Sequence, residues 1–168
     1  MDPTKLRIGI GHDTHRLQEG GQLILGGVPV PHTHSLVGHS DADVLLHAIT
    51  DAILGAASLG DIGELFPNTS DENKHRDSAD MLAIATEKVR AAGFEIINID
   101  CILFAELPKL SPFKQAIAAR VAAILAVEEN RVGVKAKTGE RVGPVGRQEA
   151  MQAEAVALLI QTASSNDE

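Results

Sequence analysis

Three side chains in the first third of the chain could chelate one metal ion: Asp13, His15 and His47. Asp13-Thr14-His15 closes a strand pattern, and a period of two residues points its outer members to the same side. His47 falls in a later helical pattern, flanked at helical spacing by Asp43 and Asp51, acids placed to orient the ring through its other nitrogen. Two imidazoles and one carboxylate suit zinc, with a fourth position left for water or substrate. The same set is also the facial triad of non-haem iron. On spacing alone, an exposed strand-end pair and a hydrogen-bonded core histidine are competing readings. His32 and His34 read as loop residues, and His12 and His75 have no nameable partner.

The elements that must position these residues follow from periodicity. Residues 7–13 alternate and read as a strand, although Gly9 and Gly11 weaken it. Apolar runs at 23–25 and 28–30 flank Gly26-Gly27, a two-residue hairpin signal. Pro29, Pro31 and the polar stretch to Gly38 make an irregular connection. Ser40 is expected to cap a helix whose first turn holds Asp41 and Asp43 and whose stripe is Val44, Leu45, Ala48, Ile49, Ala52 and Ile53. Residues 60–76 are turn-rich and read as a long loop, which in a small domain is usually functional or disordered.

Asp77 or Ser78 caps a second helix ending at Ala92, with Gly93 as its stop. Residues 94–105 read as a strand, and Ser111-Pro112 opens a helix to about Ala126. A strand at 132–136 and a basic, Gly-rich loop at 138–147 precede a final helix expected from Glu149 to about Ala163. The ends, about 1–5 and 164–168, are expected to fray. This order implies one α+β domain over 1–168, a single mixed β-sheet covered by helices on one face.

Composition removes several function classes. With 168 residues, 44% of them hydrophobic, the chain can bury one core without staples. Aromatic residues are 2%, with no Trp or Tyr, and the net charge is -8. Nucleic-acid binding, which wants a basic groove with stacking platforms, is therefore not expected. No apolar run approaches the roughly 20 residues of a membrane span, and the N-terminus has no signal or transit character, so the cytosol is the expected compartment. Cys101 is the sole cysteine; it excludes an internal disulfide or a Cys-rich zinc site and reads as a small buried hydrophobe.

Taken in order, the motifs are far more specific than any one of them. Gly11-His12-Asp13-Thr14-His15, Gly38-His39-Ser40-Asp41-Ala42-Asp43, His47-Ala48 and Asp51-Ala52 are followed by Leu54-Gly55-Ala56, Gly60-Asp61-Ile62-Gly63 and Leu65-Phe66-Pro67. Lys74, Asp77, Ser78, Pro108-Lys109, Val134-Lys135-Ala136, Glu140, Gly146-Arg147 and the run Glu154 to Leu159 continue the set. Together they resemble the 2-C-methyl-D-erythritol 2,4-cyclodiphosphate synthase family over nearly the whole chain.

The resemblance implies an intramolecular reaction in non-mevalonate isoprenoid biosynthesis. The 2-phosphate of 4-diphosphocytidyl-2-C-methyl-D-erythritol 2-phosphate attacks the β-phosphorus of its own diphosphate, and CMP leaves. By position it implies Asp13, His15 and His47 as zinc ligands, with Asp13 and His15 also near substrate. His39 and Ser40 would contact phosphate, with His39 and Thr138 as transition-state stabilisers. Asp61 and Gly63 match a ribose-binding turn, and Phe66, Asn68 and Ser70 a loop over the methylerythritol part. Ala105, Pro108, Lys109, Leu110 and Ser111 match a cytosine pocket; Lys137, Thr138 and Glu140 a phosphate segment, with Glu140 toward Mg²⁺ or Mn²⁺. Pro144 and Arg147 match positions near the phosphates or the subunit axis.

The resemblance also implies a homotrimer with sites between subunits. Asn68 and Ser70 stand where acids are common, Lys137 stands in a usually threonine-rich run, and Pro144 replaces a larger apolar residue. A zinc-dependent phosphoanhydride hydrolase using Asp51 or Asp61 as base, and a non-catalytic nucleotide- or metal-binding trimer, are the alternatives.

Overall fold

The computed structural model describes residues 2–67 and 76–162. Its first half runs β1 (Leu6–Glu19), β2 (Leu23–Leu25), β3 (Val28–Val30), β4 (His34–Leu36), α1 (Val44–Ala56) and the short α2 (Ile62–Leu65). The second half runs α3 (Ser78–Ala91), β5 (Phe94–Phe104), α4 (Lys114–Leu125), β6 (Val132–Lys137), the short α5 (Gly143–Gly146) and β7 (Ala150–Gln161). Five strands form one mixed sheet in the order β4-β1-β7-β5-β6, while β2 and β3 make a separate hairpin. Only β5 and β6 pair in parallel; the other pairs in this sheet are antiparallel. Helices α1, α3 and α4 pack on one face, so this is a single α+β domain with a helix-covered mixed sheet.

The approach of α1 to the sheet is the feature that shapes the site. Gly9 and Gly11 face the helix, and a Cβ on Gly9 would lie 2.0 Å from the Ala52 carbonyl oxygen. On Gly11 it would lie 1.9 Å from that of Ala48. The alternation in β1 is therefore inverted relative to an ordinary half-buried strand: glycines point to the core, while Ile8 and Ile10 are 73% and 72% exposed. Ile10 pairs with Val156 and Ile8 with Leu158 across the same bare face.

The C-terminal segment is a correction. Residues expected to form a last helix are β7, the strand between β1 and β5. Ala, Glu, Gln and Leu favour a helix locally, but Ala153, Ala155, Ala157 and Leu159 are buried at a period of two. Without β7 the ladders of β1 and β5 would lose their common partner. Small residues also suit a strand against which α1 lies closely.

Other boundaries moved less. β1 continues past His15 to Glu19, and a short β4 sits in the connection expected to be irregular. Asp77 caps α3, and Gly93 follows it at φ 84°. Ser111–Phe113 is a 3₁₀ turn ahead of α4, without a side-chain cap bond. Residues 3–5 form another 3₁₀ turn, capped by Asp2. Residues 164–168 lie outside those described, and no helix among the described residues is long and apolar enough to cross a membrane.

Asp43, not Ser40, caps α1. Its fully buried carboxylate accepts N–H bonds from Gly26 (2.9 Å), Gly27 (2.7 Å), Leu45 (3.1 Å) and Leu46 (3.2 Å), tying the β2–β3 turn to the helix start. Burial pushes the acid up to about 6 against the pull of the Gly27, Gly26 and Leu46 N–H groups. Asp43→Asn keeps the shape but turns an amide NH₂ toward one of the N–H groups. A loss of about 2–3 kcal/mol is expected, read as a lower urea midpoint at unchanged m.

Candidate metal centre

Asp13 and His15 stand two apart on β1, on the side that faces the helices, and His47 comes from the first turn of α1. His15 Nδ1 lies 2.9 Å and His47 Nδ1 3.0 Å from the same oxygen, Asp13 Oδ2. The two ring centroids are 5.1 Å apart. One ligand atom from each residue lies within 4.8 Å of the others, an arrangement found for no other such trio among the described residues. Ligand atoms on a tetrahedral zinc with arms of about 2.0–2.1 Å are roughly 3.3 Å apart, close to the two Asp13 contacts.

The donor set itself fits a cation. His15 Nδ1 is buried and lacks an aligned hydrogen-bond partner despite its closeness to Asp13. Two ring nitrogens converge on one carboxylate oxygen, an arrangement of donor atoms that a cation held between them would satisfy. Burial would raise the Asp13 carboxyl, but the two facing imidazoles outweigh it and hold the group well below the ordinary carboxylate range.

The acids expected to orient His47 do other work. Asp43 lies beneath the hairpin turn, as above, and Asp51 accepts the Ile62 N–H at 2.8 Å, fixing the start of α2. Partial burial raises the Asp51 carboxyl. His47 Nε2 instead meets two hydroxyls, Ser78 Oγ at 2.9 Å and Ser40 Oγ at 3.1 Å. Spacing could not have found Ser78, which lies 31 residues beyond His47; the motif match marked its position but gave it no role.

A cleft of about 240 Å³ opens over the trio, lined by Asp13, His15, His39, Ser40, His47 and Gly63, with Gly38, Ile62, Phe66 and Met81 completing its wall. His39 is exposed, and Ser40 Oγ accepts the Ala42 N–H at 3.1 Å. Asp61 caps α2 by accepting the Glu64 N–H at 2.8 Å. Asn68 and Ser70 lie outside the described residues, as do Lys74 and His75.

The remaining sequence candidates form a second group. Ala105 to Ser111 follows β5, and Lys137 to Arg147 begins at the end of β6; none of them lines this cleft. Glu106 Oε2 joins the two segments by accepting the N–H groups of Gly139 (3.1 Å) and Arg141 (3.4 Å). Ala105 and Leu110 are buried, whereas Lys109, Ser111, Lys137, Thr138, Glu140, Pro144 and Arg147 are exposed. Pro108 is half-buried. Thr138 donates to Glu140 Oε1 at 2.8 Å, and Glu140 and Arg141 both adopt positive φ, 49° and 59°. Arg147 is engaged by Glu149 through two bonds of 2.9 and 3.0 Å.

Register places both groups at the same end of the sheet. Lys137 pairs with Phe104, Phe104 with Gln152, and Gln152 with Thr14. Three strand spacings, about 14 Å, thus separate the metal trio from the Lys137 segment.

Fold and site together define a small α+β domain in which two histidines and one carboxylate form a candidate metal-binding cluster beneath a cleft. Residues 6–160 match the YgbB family, and the chain belongs to that family. A 2-C-methyl-D-erythritol 2,4-cyclodiphosphate synthase of Chromobacterium violaceum is 55% identical over 155 residues, 92% of this chain and 98% of that protein. That of Laribacter hongkongensis is 53% identical, over 92% of this chain and 95% of its own. Among solved structures, the bifunctional IspDF of Campylobacter jejuni superposes with a TM-score of 0.90 at 46% identity, covering 93% of this chain; this chain spans 42% of that longer one. The CDP complex of IspF from Plasmodium falciparum gives a TM-score of 0.82 at 34% identity, over 94% of this chain and 97% of that one.

Proposed function

We propose that this protein is a cytosolic lyase that converts 4-diphosphocytidyl-2-C-methyl-D-erythritol 2-phosphate into 2-C-methyl-D-erythritol 2,4-cyclodiphosphate and CMP. The observation that carries the reading is the Asp13, His15 and His47 trio opening onto His39 and Ser40 in a chain of this family. The attacking 2-phosphate is already an anion, so no general base is required. The barrier is the approach of two phosphates that repel each other, and positioning with charge neutralisation lowers it. Asp13, His15 and His47 would hold zinc and Glu140 would face Mg²⁺ or Mn²⁺; when bound, these ions would supply positive charge and a template for the phosphates.

The chain's own groups do the rest. His39 and Ser40 offer a ring nitrogen and a hydroxyl to phosphate at the mouth of the cleft. Asp61 and Gly63 receive the ribose, and Phe66, Asn68 and Ser70 cover the methylerythritol part. Ala105 to Ser111 read cytosine by backbone groups, in keeping with a chain that has no Trp or Tyr to stack on it. Lys137, Thr138, Glu140, Pro144 and Arg147 form the phosphate segment.

A homotrimer reconciles the two groups of residues. A cleft of about 240 Å³ is below the roughly 300–1,000 Å³ of typical ligand pockets, and the cytosine segment lies outside it. A neighbouring subunit that brings its 105–111 segment to this cleft completes the site. The bare face of Ile8, Ile10 and Val156 gives the subunits an apolar surface to share.

Water activation is a poorer fit, because neither Asp51 nor Asp61 lines the cleft over the trio where a base would have to meet the water. Phosphorus NMR of the protein with this substrate and Mg²⁺ decides: a cyclic diphosphate plus CMP is expected, and linear phosphates would overturn the proposal. Glu140→Gln is expected to raise the Mg²⁺ requirement of the reaction. An unchanged Mg²⁺ titration of the rate would remove Glu140 from its role.

A further inference from the structure

We propose that Ser78 and Asp41 are positioning residues that fix the ring orientation and tautomer of His47, so that its Nδ1 lone pair faces Asp13. This rests on the metal reading above but not on the reaction. Ser78 is fully buried, and its Oγ lies 2.9 Å from His47 Nε2. The Ser78 hydroxyl donates its single proton to Asp41 Oδ1. Toward His47 the same oxygen can therefore only accept, which assigns the ring proton to Nε2. Nδ1 is then left with a lone pair 3.0 Å from Asp13 Oδ2, where a metal ion can take both.

The other contacts show why the pair is placed for this task. Asp41 Oδ2 accepts the Ser78 N–H at 3.3 Å, and the Asp41 N–H donates to the Arg76 carbonyl at 3.2 Å, so the acid is fixed against the start of α3. The helix does not need the Ser78 hydroxyl as a cap, because Asp77 already accepts the Ala79 N–H at 2.7 Å. Ser40 cannot set the tautomer. Its hydroxyl, 3.1 Å from Nε2, can either donate or accept, and it is half-buried in the cleft wall where phosphate would compete for it.

The test begins on the unmodified, zinc-loaded protein with ¹⁵N-labelled histidine. Long-range proton–nitrogen correlation is expected to show the His47 proton on Nε2 and a metal-shifted Nδ1; a proton on Nδ1 overturns the proposal. Ser78→Ala is expected to weaken metal binding about 10–100-fold in a chelator competition, while Ser78→Thr, which keeps the hydroxyl, retains most of it. A folded Ser78→Ala protein with unchanged metal affinity also overturns it. Absence of cyclic product from a protein that passes both measurements would count against the proposed reaction and leave this relay intact.

Discussion

His47→Ala is expected to yield a folded protein that no longer retains zinc and turns over at least about 10²–10³-fold more slowly, the scale on which loss of a charge-stabilising group acts. The fold should survive because α1 is held by Leu45, Leu46, Ala48, Ile49 and Ile53, all fully buried, and alanine is a strong helix former. The site should not survive. Asp13 and His15 alone offer two adjacent donors from one strand, and the third direction comes only from the helix. Elemental analysis and circular dichroism on one sample separate the effects. Undiminished turnover in a zinc-free sample would defeat the metal-assisted mechanism.

Gly11→Ala should be the most damaging substitution of a single methyl group. The new Cβ would lie 1.9 Å from the Ala48 carbonyl oxygen and 2.8 Å from the Ala52 nitrogen. Both obstacles are backbone, so strand and helix must separate. Overpacking usually costs about 1–3 kcal/mol, and this site belongs at or above the top of that range. In a domain of this size about 3 kcal/mol lowers Tm by roughly 6–12 °C. Zinc affinity should fall with it, because Asp13 and His47 adjoin the contact that opens. Gly55 is the control: it lies on the same helix, and a Cβ there meets nothing within 4 Å. Gly55→Ala is expected to stabilise by about 0.5–1 kcal/mol. Equal thermal melts for the two variants would refute the close-packing account.

The helices at 44–56 and 78–91 and the Gly26-Gly27 hairpin were legible because each carries its own signal within a few residues: an apolar stripe, an acid cap, or paired glycines. The metal trio was legible as residue types, and the ordered motifs as a family resemblance. β7 was not legible. Its composition favours a helix, and only the two strands that need its hydrogen bonds hold it extended. The second-nitrogen partner of His47 was likewise misplaced, onto Asp43 and Asp51. Helical spacing brings residues near on a surface, but Asp43 is drawn under the hairpin by four N–H groups and Asp51 by Ile62.

By itself, then, the sequence determined the chemistry available: two imidazoles and a carboxylate, a chain without stacking aromatics, and family motifs from end to end. Only the tertiary structure decided that these groups meet. Gly9 and Gly11 let α1 lie directly on β1, carrying His47 to Asp13, and α3 brings Ser78 to the far side of the ring. Such meetings depend on which backbones can approach each other, a property of three-dimensional packing that no local spacing encodes.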